Sequence, residues 1–505
     1  MSEVTTAAAA AMQPPLLCRA GWLSGPVGRC RVLAILCLLT LVGVVYWPVI
    51  GYDFVNWDDP WYVLRNPLIR SWSPSNLWRI FAEPSVKNYA PLTTLSLLVD
   101  HTLFGLNAGG YHATNVLWHA LNSVLVYVLV SRLSNWRMVG LLTAALFAVH
   151  PVQIETVAWV SSRKSLMCTA FMLLAGHAWL REQRTTRHES WGLLWLLLAL
   201  LSKAAAIVVP PIVLAFDLLV RRRPLAESLA RQVVPAFLCL VFLNVTMSAQ
   251  TTVMGGTRAH LSLSKLHILA IDSVIVWQYV GMLLWPADLC VLYDPPTRGI
   301  VAEVVMAVCG WLMVAGTCWW CARRAPDGDG QPWRSVWPAF CVVSWFLLLF
   351  PVLNLFPITT LMNDRYLYLP CVCLFAPAAW GVLTIVHWVT AAVTGVQAVR
   401  PGQRLLRPAC VAVVAGLLVA ASAWESMQHL PTWQNDYALW NHAVREVPQL
   451  PVVQIQWAQS LHRQGRVTQA KAMLLMTLAR GTADEADRQR IVQFLAAWEE
   501  ETSRL

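Results

Sequence analysis

Long apolar runs alternate with short arginine clusters along this chain, and the runs read as helices crossing a membrane. They cover residues 32–50, 112–131, 138–151, 166–180, 190–202, 204–220, 233–249, 301–321, 336–355, 366–389 and 408–426. An upright span needs about 20 residues, so the shorter runs predict tilted or broken helices. The stretch 263–286 is also apolar, and charge decides its placement. If it lies along the outer surface or re-enters, about eleven spans result. The clusters Arg19/Arg29/Arg31, Arg132/Arg137, Arg181/Arg184/Arg187, Arg221/Arg222/Arg223/Arg231, Arg323/Arg324/Arg334 and Arg400/Arg404/Arg407 then all face the cytoplasm. A full span would put the last two clusters outside, against the positive-inside bias. The expected protein is all-α and integral to the membrane. It has a cytoplasmic tail over 1–31, a polytopic domain over 32–426 and an outer C-terminal region over 427–505.

Composition agrees and excludes other classes. With 57% hydrophobic residues, 13% charged residues and a mean hydropathy of +0.53, the chain is not a soluble globular protein. The 27 tryptophans suit many membrane–water boundaries. The net charge of +10 sits in the interhelical clusters, so it reports topology and not nucleic-acid binding. The 13 cysteines mostly lie in or beside apolar runs, Cys290 being the exception, and show no zinc spacing or disulfide framework. The first span is read as a signal anchor.

The unusual charges gather on the outer face. Asp58 and Asp59 follow the first span among Trp57, Trp61 and Tyr62, in an outer loop over 51–111 that reads as interfacial helices. His112 and Asn115 stand where the second span begins, as interfacial caps or as substrate contacts. His150, Glu155, Trp159, Arg163 and Lys164 leave the third span, and Glu155, Trp159 and Arg163 share one stripe if the segment is a continuous helix. A basic pair on the outer side is easier to explain as phosphate-binding than as topology. Lys203 marks one further outer turn, and Asp364, Arg365 and Tyr366 mark another. Asp217, beside Arg221 at a cytoplasmic helix end, is read as structural. Acids suited to taking a proton and cations suited to a departing phosphate, both next to lipid, fit sugar transfer from a polyprenyl-phosphate donor.

In order, YDFVNWDDPWYVLRNP, NYAPLTTLS, FGLNAGGYHATN, HPVQIETVAWVSSRKS, LLSKAAA and NDRYLYLP resemble the transmembrane and tetratricopeptide-repeat O-mannosyltransferases and their bacterial relatives, over about residues 32–475. Trp457, Ala458, Leu461, Gly465 and Ala470 supply the spacing of one tetratricopeptide-like unit in the tail. The resemblance implies a GT-C glycosyltransferase fold with a periplasmic or lumenal active site. It implies a sugar, mannose foremost, on undecaprenyl or dolichyl phosphate, transferred with inversion to a hydroxyl on a protein. Asp58 or Asp59 matches the catalytic base and Glu155 the second acid. Arg163, Lys164 and Arg365, joined by Lys203, match the phosphate side, with His112, Asn115, His150, Asp364 and Tyr366 as substrate contacts. Gln153 replaces the second His of an HP-x-H-x-E pattern, and Ala90 is smaller than usual in its motif.

No metal-ligand cluster stands out, so metal-independent chemistry without a cofactor is expected. The implied location is a bacterial inner membrane, or the endoplasmic reticulum in a eukaryote, with the N-terminus cytoplasmic. Two rivals accompany this reading. One keeps the fold but glycosylates a lipid or surface polysaccharide; the other is a transporter or a non-catalytic scaffold that recruits a protein partner through its tail.

Overall fold

Each predicted run is helical along most of its length in the computed structural model, which describes residues 25–84, 88–254, 263–323, 333–355, 360–394, 403–481 and 483–504. In chain order the helices are α1 (Gly25–Tyr46), α2 (Pro74–Ala82), α3 (Pro91–Phe104), α4 (Ala108–Leu133), α5 (Arg137–Val149), α6 (Ile154–Ala158) and α7 (Arg163–Trp179). There follow α8 (Thr186–Ser202), α9 (Val209–Leu219), α10 (Leu225–Met254), α11 (Lys265–Leu284), α12 (Val301–Arg323), α13 (Trp333–Leu349), α14 (Cys371–Thr394) and α15 (Gln403–His429). The tail adds α16 (Asp436–Glu446), α17 (Pro451–Arg463), α18 (Val467–Ala479) and α19 (Glu485–Arg504). Residues 1–24, with Cys18 and Arg19, lie outside the described residues, as do Arg324, Arg400 and the side chains of Arg334, Arg404 and Arg407.

The protein is a multi-pass membrane protein. Seven described helices are long and apolar enough to cross a membrane, and Arg137–Val149 with Pro151–Ala158, bent by 58°, makes a possible eighth. Helices α7 and α8 have 17 residues each and α9 has 11, so these runs are short, as the sequence indicated, and α13, from a run read as 336–355, also has 17. The bend after α5 has a local cause: Pro151 cannot continue the helical ladder, and His150 turns its Nδ1 to the Val152 N–H.

Helix α11 covers the ambiguous stretch. By length and apolarity it could cross. His267 donates to the Thr297 carbonyl (2.6 Å), Asp272 accepts from the Asn354 amide (2.8 Å), Tyr279 accepts from the Asn363 N–H (3.4 Å), and the Leu283 carbonyl accepts from His150 (3.1 Å). Trp277 donates to the Ala307 carbonyl within α12 (2.8 Å).

The first loop has its own small core, in which Tyr62, Val63, Ile69, Ile80, Leu97 and Tyr111 pack together beneath α2 and α3. In the tail, α17 and α18 form a helical hairpin turned at Gly465, whose φ of +74° favours glycine. Trp457, Ala458, Leu461 and Ala470 are buried in it.

Close approach of α7 and α8 rests on Gly192, where an added Cβ would lie 2.2 Å from the buried Trp179 ring. The indole has no room to yield, so Gly192→Ala should cost about 1–3 kcal/mol. Thermal unfolding in detergent measures this, and an unchanged transition would contradict the packing.

Candidate active site

The site is built around a polar stripe on α4, an otherwise apolar helix. His112, Asn115, His119 and Asn122 recur every three or four residues, so they share one face, and all four are buried. Each meets an irregular segment. His112 faces the Asp53 carbonyl (3.4 Å), and Asn115 donates to the carbonyls of Val157 and Trp159 (3.2 and 3.0 Å). His119 contacts the Tyr368 hydroxyl (2.8 Å) and the Ala148 carbonyl (3.0 Å), while Asn122 donates to Tyr368 and to the Leu166 carbonyl. The sequence reading found His112 and Asn115 but missed His119 and Asn122. The same helical spacing could have exposed them.

The expected stripe of Glu155, Trp159 and Arg163 on one helix does not form. Helix α6 ends at Ala158, Trp159 is extended (φ −86°, ψ 118°), and α7 starts afresh at Arg163. Side chains occupy the backbone groups a continuous helix would use: Asn115 takes the carbonyls of Val157 and Trp159, and Asp59 takes the Ser161 N–H (3.0 Å).

Neighbouring residues therefore part. Asp59 is buried, accepting from the N–H groups of Val55 (3.0 Å) and Ser161 and from the Ser161 hydroxyl. Burial pushes its carboxyl up to about 7, against the pull of those three donors. The Asp58 side chain is 38% exposed, with one carboxylate oxygen 3.9 Å from Lys164 Nζ. Arg163 is fully buried; it pairs with Asp100 (2.8 Å) and donates to Asn115, Ser96 and the Tyr111 carbonyl. Lys164 points the other way, over the Tyr62 ring (4.5 Å) and within 3.1 Å of its hydroxyl. Of the partners that separate the basic pair, Asp100 was not singled out in the sequence, and Tyr62 was named there only as a neighbour of the two acids.

Arg365 joins Lys164. Its guanidinium and its backbone N–H both meet Glu155, and it lies over the rings of Trp159 and Tyr366 (5.2 and 5.3 Å). Lys203 donates to Ser165 (2.9 Å) and is close enough to feel the charges of Lys164, Arg365 and Glu155. Lys164, Lys203, Arg365, Asp58 and Glu155 thus form one electrostatic cluster. The Asp364 carboxyl is buried beside it, accepting from Tyr293 and raised well above the usual carboxylate range by burial and by Glu155. Tyr366 shares a hydrogen bond with Thr360 (2.9 Å). Asn115 and His150 spend their groups on backbone carbonyls, Arg163 or Val152, as bracing contacts, whereas His112 meets the Asp53 carbonyl through Nε2 and leaves its buried Nδ1 without a hydrogen-bond partner among the described residues. Among the described residues no three His, Cys, Asp or Glu side chains converge as metal ligands.

An apolar groove lies deeper in the bundle, and none of Lys164, Lys203 and Arg365 lines it. Its wall runs from Leu129 and Leu133 on α4 and Leu180 after α7, at the end where Arg132 meets the Leu180 carbonyl, to Met172, Leu173, Val209 and Leu369. Trp337, Phe340 and Leu348 complete it from α13.

Comparison of the sequence finds animal relatives. A Caenorhabditis elegans protein O-mannosyl-transferase is 27% identical over 276 residues, covering 52% of this chain and 39% of that protein. Its relatives are protein O-mannosyl-transferases. Mouse TMTC3 is 23% identical over 73% of this chain and 45% of its own length, and human TMTC4 is 33% identical over 33% of this chain and 27% of its own. The chain therefore spans less than half the length of these curated relatives. No protein-family profile matches it. Among solved structures, ArnT from Cupriavidus metallidurans bound to undecaprenyl phosphate overlaps 86% of this chain and 81% of its own (13% identity, TM-score 0.38). The Archaeoglobus fulgidus oligosaccharyltransferase AglB, in complex with an inhibitory peptide and a dolichol-phosphate, overlaps 79% of this chain and 56% of its own (12% identity, TM-score 0.45). Superposition at that level is loose.

Two measurements test the site's internal logic. Arg163→Gln leaves Asp100 buried without its cation, so stability in detergent should fall by about 3–5 kcal/mol, whereas Lys164→Gln should cost under about 1 kcal/mol. Equal losses would contradict the separation of the pair. Asp59 binds its proton more tightly in the folded chain, at about 7, than at the ordinary value of 3.8. Its stabilising contribution is therefore full below the ordinary value and is lost as pH rises through the folded one. From about pH 5 to about pH 8, the wild-type melting temperature should fall more than that of Asp59→Asn. Parallel curves would refute the raised carboxyl.

Proposed function

We propose that the chain is a GT-C-type glycosyltransferase that moves a sugar, mannose foremost, from a polyprenyl-phosphate donor to a protein hydroxyl. The observation that carries this reading is the juxtaposition of a partly exposed carboxylate, Asp58, with Lys164, close to the Arg365–Glu155 pair at the outer end of the helices. The relatives' name supports the reaction, and the ordered motifs support the donor.

In the proposed step the acceptor oxygen attacks the anomeric carbon from the face opposite the phosphate. Asp58 takes the hydroxyl proton as the new glycosidic bond forms. The bond to the lipid phosphate breaks, its electron pair leaves with the phosphate oxygen, and the configuration inverts. Lys164, Arg365 and Lys203 hold the developing charge where water is scarce and each cation counts for more. Glu155 fixes the direction of Arg365, Asp59 fixes the loop that carries Asp58, and Arg163 braces α7.

The site end would face the lumen of the endoplasmic reticulum, since the relatives named are animal proteins. The N-terminus would be cytoplasmic and the tetratricopeptide-like tail lumenal. The tail's helical hairpin would offer a surface to the acceptor protein.

The test is transfer by purified protein in lipid, given dolichyl-phosphate mannose and lumenal protein or glycan acceptors. Asp58→Asn should lower turnover by about 100-fold or more at unchanged melting temperature. Lys164→Gln should reduce it with the same fold intact. Wild-type transfer undiminished by Asp58→Asn would sink the assignment of the base, and transfer to glycans alone would move the acceptor from protein to polysaccharide.

A further inference from the structure

The tail is fastened to the loop that carries the acids. Residues 52–58 form an irregular strap between α1 and the first-loop helices, and part of its backbone is satisfied from outside it. The Asp53 N–H donates to the Gln434 carbonyl (3.0 Å), just before α16. The Asn56 N–H donates to the Asp436 carboxylate, which Arg463 of α17 holds from behind. The Asn56 side-chain amide donates to Gln456 (3.0 Å) and Gln459 (3.4 Å), both on α17. Trp57 meets Trp440 of α16 edge to face at 5.4 Å. Asp58 follows directly.

We infer that α16 and α17 act as a positioning clamp on the acidic strap, so that the tail sets turnover at Asp58 as well as offering a surface to other molecules. The inference rests on the transferase reading. The tail residues act through the strap and need not touch substrate. A carboxylate displaced by about 1 Å can lose on the order of 100-fold in rate, so four hydrogen bonds and one ring contact, at Asp53, Asn56 and Trp57 just before Asp58, have leverage.

The experiment uses the full chain in lipid nanodiscs. The variants are Gln456→Ala/Gln459→Ala, Asp436→Ala and the conservative Asp436→Asn, which keeps an accepting oxygen. Gln449→Ala is the control, because its contact with Asp294 does not involve the strap. Hydrogen exchange of the 53–57 amides and transfer kinetics are read together. The clamp predicts roughly tenfold faster exchange in the double variant and in Asp436→Ala, with kcat down about tenfold and donor KM within about twofold. Asp436→Asn should recover most of both, and Gln449→Ala should match wild type. Wild-type exchange, or wild-type kcat despite a loosened strap, would overturn the clamp. If wild type transfers no sugar, the transferase reading fails separately and exchange decides the restraint: unchanged rates discard it, faster rates retain it as a structural tie.

Discussion

A buried polar group in a membrane protein must find a partner, and the polar face of α4 imposes that demand on everything near the site. Asn115 cannot sit in an apolar bundle unless something offers carbonyls, and the broken segment from Val157 to Trp159 does so. His119 and Asn122 need a hydroxyl and find Tyr368, three residues after Arg365. The irregular backbone that carries Glu155 and Arg365 is thus the form that satisfies α4. The break and the stripe stabilise each other, and a regular helix through 157–163 would leave the Asn115 amide and the Asp59 carboxylate without these partners.

The same economy explains why adjacent residues of one type differ in fate. Helical geometry turns Arg163 and Lys164 by about 100° from each other, so when one is drawn inward to Asp100 the other is sent toward Tyr62 and Asp58. Arginine suits the inward place, with its planar fork matched to a carboxylate, an amide, a hydroxyl and a carbonyl. Lysine, a compact charge on a flexible stem, suits an anion that arrives and departs. Asp59 and Asp58 repeat the division: the first is enclosed by three donors and the second is left partly in solvent.

Apolar patterning made the helices legible because a run of membrane-compatible residues has few other ways to satisfy its backbone. The ends were harder. Where a helix is interrupted depends on side chains distant in sequence, such as Asn115 acting on Val157 and Asp59 on Ser161, and local periodicity holds no record of them. The site's charges were likewise legible as a set and not as individuals. Nothing between Arg163 and Lys164 in the sequence says which has Asp100 as its partner. Tyr293 was invisible for the same reason, since its hydroxyl reaches Asp364 across 71 positions.

The two ends of the bundle show what separates a structural cluster from a reactive one. At the arginine-rich end Arg184 and Arg221 converge on the fully buried Asp217, and Arg132 donates to the carbonyls of His177 and Leu180. These cations close helix ends and have their charge met from inside the protein. At the other end Lys164 has a tyrosine ring and a carboxylate at 3.9 Å, a looser arrangement. A transporter would be expected to concentrate its ionisable groups near the membrane midplane. Here the buried middle of α4 carries amides and an imidazole tied to neighbouring helices, while the loosely matched charges stand at one rim. That distribution favours chemistry at the membrane surface over passage through it.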